Sequence, residues 1–232
     1  NKTNSKVWLV GIGVVVMAIF AIAPFSGLSL FLRPLSTSLN VSVGEVSLMY
    51  SFSAIGGLIT ALSIGKLLKK FNPKIIVFIG GITLTLFFLS IAFSKQLYII
   101  YIASFLHGFG GITAGFTMAQ ITLSQWFYKA RGTMLSVCSI GLSLSLTIII
   151  PIIGTSMEKY GYQTVAFWEG IISGAGVILV AIFCISGPPE RYGLKPYGYT
   201  GETAGMSSDK QSNLQLSLPF SEIVKIPAFW SI

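Results

Sequence analysis

Charge is scarce in this sequence: Asp, Glu, Lys and Arg together make up 9% of its 232 residues, where a soluble domain carries about 25%. That shortage excludes an ordinary water-soluble globule. Histidine occurs once and cysteine twice, and no Cys/His cluster has metal-ligand spacing, so neither a zinc site nor a disulfide framework is expected. Cys138 and Cys184 fall inside apolar stretches rather than in outer loops. Acidic residues number 7 against 15 basic ones, a net charge of +8. In a soluble protein that excess would point to nucleic acid. Here the basic residues sit in loops between apolar runs, where they set membrane orientation, and nucleic-acid binding is excluded on that ground. No enzyme is expected from the same poverty: a single histidine, two distant cysteines and no clustered acids give no nucleophile–base pair and no metal constellation. No cofactor is expected.

What the chain does have is long apolar runs. Hydrophobic residues make up 53% of it, and mean hydropathy is +0.80. Six windows, at 7–32, 45–65, 75–94, 97–123, 133–156 and 165–186, supply the roughly 20 residues that a helix needs to cross a hydrocarbon core of ~30 Å. The expectation is an all-α membrane protein that crosses the bilayer six times. Its basic residues crowd onto alternate loops. Twelve fall in the N-terminal tail, the second and fourth loops and the segment after span 6, whereas Arg33, Lys95 and Lys159 are the three on the other side. The positive-inside rule then puts the N-terminus and the final segment in the cytoplasm, with the protein in the plasma (cytoplasmic) membrane. Span 1 is too long for a removable signal peptide and lacks a small-residue cleavage site.

Local signals refine the spans. Pro24 and Gly27 stand together in the outer half of span 1, where an interior proline removes a helix hydrogen bond and bends the rod. Ser42-Val43-Gly44-Glu45 has capping-box spacing and starts span 2. The run Gly108-Phe109-Gly110-Gly111-Ile112-Thr113-Ala114-Gly115 has no preceding strand, so it reads as close helix packing in span 4 rather than as a nucleotide loop. The chain begins at Asn1 and stops where a new apolar run starts, at Pro227-Ala228-Phe229-Trp230. It is therefore expected to comprise a six-helix bundle over 1–187, a Gly-, Pro-, Ser- and Thr-rich cytoplasmic linker over 188–219, and the start of a seventh span over 220–232 that leads into a second bundle.

The second loop, Gly65-Lys66-Leu67-Leu68-Lys69-Lys70-Phe71-Asn72-Pro73-Lys74, resembles the major facilitator superfamily signature, roughly G-x-L-x-D-[RK]-x-G-x-[RK]. Three further stretches resemble the oxalate/formate antiporter and monocarboxylate transporter group of that superfamily. They are Phe31-Leu32-Arg33-Pro34-Leu35, Gln125-Trp126-Phe127-Tyr128-Lys129-Ala130-Arg131-Gly132, and Pro189-Glu190-Arg191-Tyr192-Gly193-Leu194-Lys195-Pro196. Ile226-Pro227-Ala228-Phe229-Trp230 is similar to the beginning of span 7 in the same group. The resemblance implies the N-terminal half of a secondary transporter, built from two inverted three-helix repeats and working with a C-terminal half that rocks against it. It also implies a gating loop formed by Gly65, Lys69, Lys70, Asn72 and Lys74. Two positions depart from the signature. Lys69 replaces the acid and is expected to repel Lys66 and Lys70, and Asn72 replaces the glycine, with asparagine's tolerance of left-handed backbone preserving the turn.

Depth in the spans and analogy with the group single out Ser26, Ser29, Tyr50, Ser53, Phe116, Gln120, Ser139 and Ser143 as substrate-path candidates, although a membrane serine commonly bonds its own helix backbone. His107 reads either as a proton relay or as a packed helix contact. Glu169, about a turn inside span 6, reads either as a carboxylate reaching interfacial water or as a proton-coupling group. No Lys or Arg falls at mid-depth in the six spans, so a carboxylate substrate would take its counter-charge from the second half. The favoured function is secondary active transport of a small organic anion, by antiport or proton symport. A facilitator of a neutral solute or drug fits the same fold, and so does a non-transporting sensor, towards which Lys69 leans.

Overall fold

In the computed structural model, residues 2–128 and 130–185 are described, together with Pro189, Tyr197 and Gly198. The described residues up to Tyr197 fall in one unit, and a second unit, 198–232, contributes only Gly198 to the described set. The expected seventh-span start at 220–232 and most of the linker therefore lie outside the described residues, as does Lys129.

The helices are α1 (Lys2–Ser26), continued by a 3-10 segment (Gly27–Phe31), then α2 (Leu32–Leu39), α3 (Val43–Lys70), α4 (Pro73–Phe93), α5 (Leu97–Thr113), α6 (Phe116–Trp126), α7 (Arg131–Tyr160) and α8 (Tyr162–Phe183). Among the described residues they make six candidate membrane spans, with α1 joined to α2 and α5 joined to α6. The helices run past the apolar windows, because a helix continues through the interface where its backbone is already paired. The second loop consequently shrinks to two residues. Lys69 and Lys70 belong to the last turn of α3, where positive charge complements the carbonyl end of the helix.

Asn72 does not adopt the left-handed turn expected of it. Its φ of -68° and ψ of 131° are extended, and its side chain caps α4 by accepting from the Lys74 N–H, with Pro73 at the first helical position. The left-handed residue is Asn40, with φ 54°, which ends α2. The capping box at the start of α3 forms as expected: the Glu45 N–H donates to Ser42 Oγ (3.2 Å) and the Ser42 N–H donates to Glu45 Oε2 (2.8 Å).

Span 4 is not the single rod that hydropathy suggests. It breaks between Thr113 and Phe116: Ala114 ends α5 and Gly115, with ψ -156°, leaves helical geometry. Span 1 breaks as well, into its 3-10 segment three residues after Pro24. The first span of each three-span repeat is thus interrupted and the others are continuous. The packing pairs match this relation, since α3 packs on α5, α1 on α7, and α4 on α8. Exchanging the two repeats turns the first pair into the second and leaves the third unchanged. An odd number of spans per repeat inverts the second copy.

Two apolar cores stack along the bundle. One gathers Val7, Val10, Leu123, Trp126, Phe127 and Ile185, with Leu68 against it; the other gathers Phe31, Leu35, Val46, Ile100 and Val165, with Leu97, Met157 and Tyr162 against it. The start of α1 and the ends of α3 and α6 therefore share one end of the bundle, and Lys66, Lys69, Lys70, Lys74 and Arg131 gather there. At the opposite end Tyr162 donates to Ser38 Oγ at 2.7 Å. Gly161, with φ 79°, is the one residue between α7 and α8, in a conformation that glycine accepts without strain.

Lipid tails provide no hydrophobic drive between spans, so close backbone contact must hold them together. The glycine run supplies it. A Cβ on Gly108 would meet the Ser53 carbonyl oxygen, and one on Gly56 would meet the Phe105 carbonyl oxygen, so α3 and α5 touch backbone to backbone.

Candidate functional site

That backbone contact leaves a cleft beside it. A cavity of about 610 Å³ opens between α1, α3 and α5, lined among others by Phe25, Tyr50, Ser53, Gly57, His107 and Gly111. Its size falls within the roughly 300–1,000 Å³ of small-molecule sites. The spacing explains the lining, because Tyr50, Ser53 and Gly57 recur at three and four residues on α3, as do His107 and Gly111 on α5, so each set shares one helix face.

His107 is the polar centre of the cleft. It is 3% exposed, and its Nδ1 lies 3.0 Å from Ser53 Oγ. Its ring stacks on Phe25, with centroids 4.6 Å apart and planes at 19°, and tilts against Phe87 at 4.5 Å. Phe25 meets Tyr50 edge-on at 5.8 Å. Ser53 satisfies Nδ1 whichever of the two groups carries the proton, and leaves His107 Nε2 buried without a hydrogen-bond partner. An unpartnered ring nitrogen inside an apolar sleeve costs free energy until a ligand or water meets it.

The other path candidates lie elsewhere. Ser26 donates to the Ile22 carbonyl at 3.2 Å, Ser139 to Leu135 at 3.1 Å and Ser143 to Ser139 at 3.1 Å, each bonding its own helix. Ser29 and Gln120 are exposed, and Phe116 is half-buried against the first core. Phe25 and Phe87, which hold the imidazole, were not legible as site residues, since an aromatic in an apolar span carries no distinguishing sequence signal.

Glu169 stands apart. Because α8 starts at Tyr162, it lies about two turns inside the helix rather than one, and its Oε2 is buried without a hydrogen-bond partner. It lines a second cleft of about 530 Å³ between α1, α7 and α8. Among the described residues the two clefts share no lining residue, and neither is lined by a lysine or arginine. Cys138 and Cys184 are free.

The sequence model of the Major Facilitator Superfamily matches residues 8–232. The chain belongs to that superfamily. Among curated superfamily proteins, it is 22% identical over 161 residues to the uncharacterized MFS-type transporter YcxA of Bacillus subtilis (strain 168), a match covering 69% of this chain and 40% of the relative. It is 22% identical over 175 residues to monocarboxylate transporter 7 of Homo sapiens, covering 75% of this chain and 34% of the relative. It is 30% identical over 135 residues to the uncharacterized MFS-type transporter YhjX of Escherichia coli (strain K12), covering 58% of this chain and 33% of the relative. The chain thus matches between a third and two fifths of the length of these superfamily members. The six-span bundle with its paired three-span repeats is the superfamily's N-terminal half.

Proposed function

We propose that this bundle is half of a secondary active transporter of a small organic anion, working by alternating access with a C-terminal half in the cytoplasmic membrane, its N-terminus in the cytoplasm. The observation that carries the reading is the Ser53–His107 pair lining a cleft of molecular size, with Nε2 buried and unpartnered. With the Ser53 hydroxyl donating to Nδ1, Nε2–H is a donor for a carboxylate oxygen. A proton taken up on the ring turns the same group into the cation that an anion in an apolar cavity requires, which links substrate to a coupling proton. Tyr50 would orient the substrate, and the C-terminal half would supply further charge. The likeness to a protein named as a monocarboxylate transporter points to the same substrate class.

The test is uptake of labelled formate, oxalate, lactate and pyruvate by the full-length protein in proteoliposomes, with and without a pH gradient. Uptake of at least one, reduced ten-fold or more by His107→Ala, is expected. Inactivity on all four and on a wider carboxylate panel would transfer the cleft to a neutral solute, the reading favoured by the lack of a lysine or arginine among the described residues lining it.

A further inference from the structure

The second cleft is unexplained by an anion pathway. Its walls are apolar, from Ile19, Ile149, Ile152, Ile153 and Ile172, and one acidic group, Glu169, stands among them with Oε2 buried and unpartnered. Pro24 lines it too, together with Phe20 four residues earlier. Proline has no N–H, so α1 gives up a helix hydrogen bond along this wall. Trp168, 55% exposed, lines it as well, and its aromatic face can meet a cation; the Tyr160 ring already carries the Lys159 ammonium at 5.1 Å. A buried unpaired carboxyl, no lysine or arginine among the described lining residues, and the Trp168 ring beside an apolar slot select against an anion and in favour of a hydrophobic ammonium ion.

We propose that the α1–α7–α8 cleft is a binding site for a lipophilic protonated amine, its N–H donating to Glu169 and its apolar body lying against the isoleucines. The site is independent of the Ser53–His107 cleft. On α1, Ala21, Ile22 and Phe25 face one cleft, whereas Ile19, Phe20 and Pro24 face the other, and helical spacing sets the two groups on opposite sides of the rod. An unpaired carboxyl in an apolar wall is costly, and a bound cation removes that cost without any change in the other cleft.

The experiment is saturable binding of tritiated imipramine, a tricyclic tertiary amine, to the full-length protein in lipid nanodiscs, in parallel with an uncharged amide analogue of the same size. Binding of the amine, at least ten-fold weaker for the amide and for Glu169→Gln, and unchanged by His107→Gln, is expected. Ile152→Trp fills the slot from an exposed wall position and should abolish binding with Glu169 intact, which keeps the test decisive if Glu169→Gln does not fold. Equal binding of the amide, full binding by either cleft variant, or no saturable binding by the unaltered protein because the second half or an acyl chain covers the slot, would each overturn the proposal. None of these outcomes bears on anion uptake.

Discussion

Ser53 Oγ on α3 and His107 Nδ1 on α5 meet at 3.0 Å across a separation of 54 residues. The pair can form because Gly56 and Gly108 let the two helices approach closely enough for a serine to reach an imidazole. The polar centre of the cleft therefore depends on the same small residues that hold the spans together.

Removing the hydroxyl tests the pair directly. Ser53→Ala should lower stability by about 1 kcal/mol, the typical worth of such a bond in a membrane or protein interior, and should reduce substrate uptake several-fold. Thermal unfolding and initial uptake rates of the full-length protein check this. Unchanged uptake would separate the pair from the pathway.

The glycines predict a contrast. Gly108→Ala drives a Cβ into the Ser53 carbonyl, so α3 and α5 must separate, and a loss of at least ~2 kcal/mol is expected. Gly65→Ala has nothing within 4 Å and lies inside α3, so it should be neutral or stabilising by about 0.5–1 kcal/mol. Comparing the melting temperatures of both variants tests the packing account; equal effects would refute it.

Topology is testable with single cysteines in a Cys138- and Cys184-free background. Position 72, between α3 and α4, should resist an impermeant thiol reagent added outside cells, and position 96, between α4 and α5, should react. Outside labelling of position 72 would reverse the orientation proposed from the basic residues.

Lys69→Asp puts a negative charge at the carbonyl end of α3. It should cost about 0.5 kcal/mol through the helix dipole and shift the balance of inward- and outward-open states, read from the reactivity of cysteines placed in the Ser53–His107 cleft. A stability loss with no shift in reactivity would make the loop structural rather than a latch.

Much of the fold follows from local chemistry. Six apolar runs in lipid leave helices as the only way to pair the backbone, the Ser42–Glu45 cap marks the start of α3, and Pro24 foretells the interruption of span 1. The break in span 4 was hidden because its apolar pattern continues through Ala114 and Gly115, and hydropathy does not register backbone angles. The glycine run was legible as packing, but not which helix it would meet. Ser139 and Ser143 read as path candidates from depth and from analogy with the group; in the fold both are exposed, and each donates to its i−4 carbonyl.

The order of spans, the gathering of basic residues at one end and the superfamily signature are properties of the chain as written, since each depends on composition and near-neighbour spacing. Which polar groups meet is not. Ser53 and His107 come together, and Glu169 is left alone on the far side of α1, because helix rotation and approach distance are decided by packing between residues far apart in the chain. Only the assembled bundle sets those two quantities.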